Sequence, residues 1–170
     1  MQINEIDVEG QRAAPIDMLQ AWFEAQDWPH ERLGDDEIVA EAKGAWGTYE
    51  LRGVWRDDDG VLQFMAFPDI RAADDKLAQF YETVGLVNEQ LWLGHFELWS
   101  SSGTVLFRHA VMLEAGSEEA GLALDQAELL IEVAVDEVDR FYPVFQFVQW
   151  GGKTPKEALA AALVETRGEA

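Results

Sequence analysis

No cysteine occurs in the 170 residues, which excludes disulfides, thiolate nucleophiles, cysteine zinc sites and iron–sulfur ligation together. Basic residues are scarce: 12 Lys and Arg stand against 33 Asp and Glu, a formal charge of −21. Binding nucleic acid or an anionic membrane needs clustered cations to neutralise phosphates. Here Arg32, Lys43, Arg52, Arg56, Arg71, Lys76, Arg108, Arg140 and Lys153 are scattered singly, so no nucleic-acid or membrane partner is expected. No apolar run approaches the ~18 residues of a membrane span, and residues 1–5 lack the basic stretch of a secretory signal. Repeats, low-complexity tracts and Pro/Ser linkers are also missing. The expectation is a cytoplasmic protein with a polar arm at 1–13 and one domain over 14–170.

What is present is apolar patterning. Seven Trp and nine Phe among 48% hydrophobic residues provide for a packed core. Pro15 suits a first helical position, where its missing N–H leaves nothing unbonded. Ile16, Leu19, Trp22 and Phe23 share one face of a helix predicted over 15–26. A short strand at 31–33, a turn at 34–36 and a strand at 37–42 follow. Tyr49, Leu51, Gly53 and Trp55 alternate with Thr48, Glu50, Arg52 and Val54, the period of a half-buried strand. Asp57-Asp58-Asp59-Gly60 then turns the chain into a strand over 61–67 that Pro68 is expected to close. A helix over 74–93 carries Leu77, Phe80/Tyr81, Val84, Val87 and Leu91 and stops at Gly94. Strands at 95–100 and 104–113 make a second hairpin, followed by an acidic loop at 114–121.

The clearest helix comes next. Ala127, Leu130, Ile131, Ala134, Val138, Phe141 and Phe145 occupy one side, and Asp125, Glu128, Glu132, Asp136 and Asp139 the other, as a solvated face. Pro143 should kink or restart it. Gly151-Gly152 breaks the chain, and Thr154-Pro155-Lys156-Glu157 caps a last helix to about 166. Strands joined by tight turns predict antiparallel pairing with helices packed on one face. The fold class is α+β, in the order α-β-β-β(-β)-α-β-β-α-α.

Little in this pattern carries bond chemistry. His30, His95 and His109 sit in no HExxH motif, although His95 and His109 lie on adjacent predicted strands and offer a weak two-imidazole metal pair. The acidic helix stripe lacks Glu-x-x-His. Asp57-Asp58-Asp59-Gly60 lacks the alternating ligands and closing Glu of a calcium loop. No Gly-x-Ser-x-Gly and no phosphate-binding glycine loop is present. No catalytic residue, metal site or cofactor is therefore assigned. The aromatics remain, and they are hard to bury all at once unless adjacent helices cover them within one subunit. Trp46, Trp92, Trp99, Phe147 and Trp150 are the candidates for a partner-binding surface or a homodimer seam.

From Pro15 onward the chain resembles the YbjN-domain family, named for bacterial sensory transduction regulation. The residues carrying the resemblance are Pro15-Ile16-Asp17-Met18-Leu19-Gln20-Ala21-Trp22-Phe23, Phe67-Pro68, Val87-Asn88-Glu89, Gly94-His95-Phe96-Glu97-Leu98 and the strand with Arg108. Phe145-Gln146-Phe147-Val148-Gln149-Trp150-Gly151-Gly152-Lys153 is similar to an alphaproteobacterial branch. The resemblance implies a fold like that of type III secretion chaperones, small acidic α+β proteins that commonly form homodimers and hold extended partner segments on apolar surface. The chain departs from that pattern in its last Ala-rich helix, which stands where it could cover a groove. The reading is a non-enzymatic binding or regulatory protein, expected as a homodimer with a protein or peptide partner. The alternatives are an enzyme gathering His95, His109 and nearby carboxylates in a pocket, and a passive assembly component.

Overall fold

The structure, a computed structural model, describes residues 12–114 and 121–167. Its centre is a six-stranded antiparallel sheet in the order β2-β3-β4-β5-β7-β6. The strands are β2 (His30–Arg32), β3 (Glu37–Lys43), β4 (Thr48–Arg56), β5 (Val61–Arg71), β6 (His95–Trp99) and β7 (Thr104–Met112). Period-2 patterning sets the register. Ala40 faces Leu51, Gly53 faces Phe64 and Ala66 faces Phe107, so the apolar members form one continuous surface.

Three helices cover that surface: α1 (Pro15–Ala25), α2 (Leu77–Asn88, after a 3₁₀ turn at Asp74–Lys76) and α3 (Leu124–Gln149). All seven apolar residues singled out on α3 are buried, as are Leu19 and Phe23 of α1. Phe96, Phe107, Phe141, Phe145 and Phe80 meet edge-on or tilted across the sheet–helix boundary, which suits aromatic quadrupoles. The expected α+β architecture, with helices on one face, is present.

Several elements differ from the sequence expectation. β5 does not end at Pro68; it runs to Arg71 through a bulge between Ala66 and Ile70. Proline has no N–H to offer a ladder but is at home in a bulge, and Asp69 takes the left-handed turn there at φ 55°. α2 stops at Asn88 rather than at 93. α3 continues through Pro143 without a restart. Arg12–Ala13 (β1), read as part of the arm, pair with Leu122–Ala123 (β8); two-residue bridges have no periodicity to read. The rest of the arm and residues 115–120 lie outside the described residues. The last helix, α4 (Pro155–Arg167), forms as expected, and its capping box is closed. The Thr154 N–H donates to Glu157 (3.0 Å) and the Glu157 N–H to Thr154 Oγ1 (3.3 Å).

Candidate functional site

The β5 bulge places Asp69, Ile70 and Arg71 between two depressions. On the helix side, they meet the last turns of α3 to form a groove of about 210 Å³, lined also by Tyr142, Phe145, Gln146, Gln149 and Trp150. Ile70 and Phe145 are buried and form an apolar floor. Trp150 stands above it with 80% of its surface exposed. Gln149 accepts a hydrogen bond from the Ala73 N–H (3.3 Å), strapping the end of α3 to the chain leaving β5. On the uncovered face of the sheet, the same three residues join Thr48, Glu50, Phe67 and Thr104 around about 310 Å³. Trp99 meets Phe67 there edge-on at 5.7 Å.

A second aromatic group adjoins the first groove through Tyr142. Trp46 stacks on Tyr142 with planes 4° apart, and its indole N–H donates to the Asp139 carbonyl (2.9 Å). Beneath it, the Asp139 carboxylate accepts from the Tyr49 hydroxyl (2.5 Å) and the Ala45 N–H (2.8 Å). Tyr49 is wholly buried. Burial first, and then the hydrogen bond to this carboxylate, push its hydroxyl far above the ordinary tyrosine range. Gly44 permits the arrangement, since a Cβ there would run into the Tyr49 ring and the Asp139 carboxylate. Asp139, read as part of a solvated stripe, is therefore an anchor between the β3–β4 turn and α3.

The five aromatic candidates thus separate. Trp150 lines the groove beside the bulge, Trp99 meets Phe67 of the bulge, and Trp46 adjoins the groove only through Tyr142. Phe147 is partly buried against the core, with the Lys153 ammonium 5.9 Å from its ring. Trp92 is alone in the turn before β6, 98% exposed. Tyr142, Phe67 and the bulge residues were not among the binding candidates the sequence offered. The available signal was a proline followed by Asp inside an otherwise strand-like run, which marks a bulge as well as a terminus.

The histidines do not converge. His95 pairs with Arg108 on the uncovered face, whereas His109 pairs with Phe64 on the helix face. Burial, then the charge of His95, lowers the His109 pKa. Glu97 accepts from His95 (2.7 Å), Trp99 (3.2 Å) and Arg108 (2.9 Å). Burial pushes the Glu97 carboxyl up, but these hydrogen bonds and the Arg108 charge outweigh it and hold the carboxyl below its ordinary value. Among the described residues, no three His, Asp or Glu side chains cluster as metal ligands, and no helix is long and apolar enough to cross a membrane.

One edge of the sheet is guarded. The Asn88 side chain donates to the Phe96 carbonyl (3.1 Å) and accepts from the Phe96 N–H (2.8 Å), filling the outward-facing rung of β6.

Residues 15–147 match the YbjN family model, described as "Putative bacterial sensory transduction regulator". This chain belongs to the YbjN family. The chain is also similar to the crystal structure of YbjN from E. coli, titled "a putative transcription regulator". The TM-score is 0.53 at 8% identity, over 76% of this chain and 90% of that one, a likeness of fold. No curated protein matches. The family match ends at residue 147, so α4 lies outside the matched residues. It packs against α2 and α3 and contributes no residue to the lining of the groove beside the bulge.

Proposed function

We propose that this YbjN-family protein is a non-enzymatic regulator that holds an extended segment of a partner protein in the groove between the β5 bulge and the end of α3. The observation carrying this reading is Trp150, 80% exposed above a floor of Ile70 and Phe145. A large aromatic side chain in water beside a preformed apolar depression is what partner binding uses and what monomer packing leaves unexplained. The lining suits a peptide. An apolar partner side chain fits Ile70 and Phe145, while Gln146, Gln149, Asp69 and Arg71 offer donors and acceptors to its main chain. Strand addition at Phe96 is disfavoured, because Asn88 already occupies that rung.

The test is co-purification from the protein's native cells with wild type and Trp150→Ala in parallel. The expected result is a partner recovered with wild type and lost, at least about tenfold, with Trp150→Ala at an unchanged melting temperature. Equal recovery with both proteins would refute the groove.

A further inference from the structure

The lysines of the chain are Lys43, Lys76, Lys153 and Lys156, and the sequence keeps the first two far from the others. The fold brings three of them together. Lys76 ends the 3₁₀ turn that opens α2, and Gln79 and Glu82 follow it at helical spacing. Opposite them, the chain between α3 and α4 doubles back on itself. The N–H groups of Gly151 and Lys153 both donate to the Phe147 carbonyl (3.0 and 3.3 Å). Gly152 makes the reversal at φ 63°, in the left-handed region that glycine enters without strain. Lys76, Lys153 and Lys156 then line one open cavity of about 450 Å³ together with Gln79, Glu82 and Thr154. It shares no lining residue with the groove beside the β5 bulge.

These lysines lack carboxylate partners among the described residues. Every ion pair there is made by an arginine or a histidine, although 33 acids stand against 12 bases in the chain. Asp74 and Asp75 precede Lys76 but do not line the cavity. The Glu157 carboxylate, next to Lys156, accepts from the Thr154 N–H instead, and the same capping box closes the first turn of α4 on itself. The ammonium groups are therefore the donors this cavity offers. Three of them around one depression repel one another, and an anion from outside the chain relieves that repulsion.

The lining also says which anion. Three ammoniums against the single carboxylate of Glu82 leave it at +2, matching the roughly −2 of a phosphate monoester near pH 7. The rest of a chain of −21 repels a long polyanion such as nucleic acid. No aromatic ring lines the cavity, so a nucleotide base finds no stacking surface. Glu82, Gln79 and the Thr154 hydroxyl instead suit the hydroxyl groups of a ligand. The volume lies within the range of about 300–1,000 Å³ of small-ligand sites. We infer that the cavity between the start of α2 and the start of α4 binds a small phosphorylated sugar or polyol, its phosphate held by Lys76, Lys153 and Lys156 and its hydroxyls by Glu82 and Gln79.

Isothermal titration calorimetry on the full chain tests it, with sodium chloride holding every titration at one ionic strength, because so acidic a chain responds to any salt. The probes are ribose-5-phosphate, ribose, inorganic phosphate and adenosine monophosphate. Ribose-5-phosphate should bind one per chain, inorganic phosphate more weakly and ribose not at all, with adenosine monophosphate no tighter than ribose-5-phosphate. Lys76→Gln, Lys153→Gln and Lys156→Gln should each weaken ribose-5-phosphate at least about fivefold, with circular dichroism unchanged. Lys43→Gln, remote from the cavity, should bind as wild type. Glu82→Gln should tighten inorganic phosphate and narrow the preference for ribose-5-phosphate over it, an effect that general loss of fold cannot produce. Absence of binding at millimolar ribose-5-phosphate, equal weakening by Lys43→Gln, ribose binding as well as its phosphate, or tighter binding of adenosine monophosphate would each overturn the site.

Discussion

Asp139 shows what a single carboxylate does when a buried hydroxyl depends on it. Tyr49 is fully enclosed, and its hydroxyl donates to Asp139, a partner 90 residues away. Asp139→Ala leaves that hydroxyl and the Ala45 N–H without their acceptor. The expected destabilisation in urea unfolding is about 2–3 kcal/mol, against about 1 kcal/mol for Tyr49→Phe, which removes the donor and takes an acceptor only from the long Trp46 N–H contact (3.4 Å). Equal effects from the two variants would assign the loss to ring packing instead. In the sequence, Asp139 is indistinguishable from Asp136 or Glu132. Helical periodicity assigns a face but says nothing of a tyrosine on a strand that folds back against it. Trp46 was legible as an aromatic in a loop, whereas its stacking on Tyr142 depends on the same anchor and was not.

At the scale of elements, α2 and β6 are joined by the Asn88 side chain, which acts as a short piece of backbone against Phe96. The apolar spacing of Val87 and Leu91 reads as one helix to 93 because both residues do face the core. The chain nevertheless leaves the helix at Asn88, where a side chain able to bond backbone competes with another helical turn. Asn88→Ala is expected to cost about 1–2 kcal/mol, with hydrogen exchange accelerated most at the Phe96 amide. Uniform acceleration across β6 and β7 would count against a local clamp. Hairpins and amphipathic helices were readable because period and turn residues are local properties. The β5 bulge was not, since Pro68 ends a strand or bulges it according to whether a neighbour, here β7, continues beyond.

For the whole molecule, the formal charge of −21 on 170 residues sets a general term. Like charges repel across the folded surface more than in an expanded chain, and salt screens that repulsion over ~10 Å at 0.1 M. The melting temperature should therefore rise by several degrees from low to moderate salt, as scanning calorimetry would show; a flat response would mean that the carboxylates are already locally compensated. The order of elements and the α+β class followed from the sequence because each depends on patterning summed over many residues. Docking surfaces depend on what the fold leaves uncovered, and Trp92, Trp99 and Trp150 differ in that respect only once the sheet is assembled. In the bulge, three residues, Phe67, Pro68 and Asp69, stand opposite Leu106 alone, yet Ala66 and Ile70 both still point into the core. The excess is two residues, an even number, so inward and outward sides are preserved past it. Loss of one residue would turn Ile70 out into water and Arg71 into the core, whereas loss of two would only flatten the strand and erase both depressions. Insertions and deletions at this point are therefore confined by geometry to pairs, and a relative two residues shorter here would keep the fold without the groove.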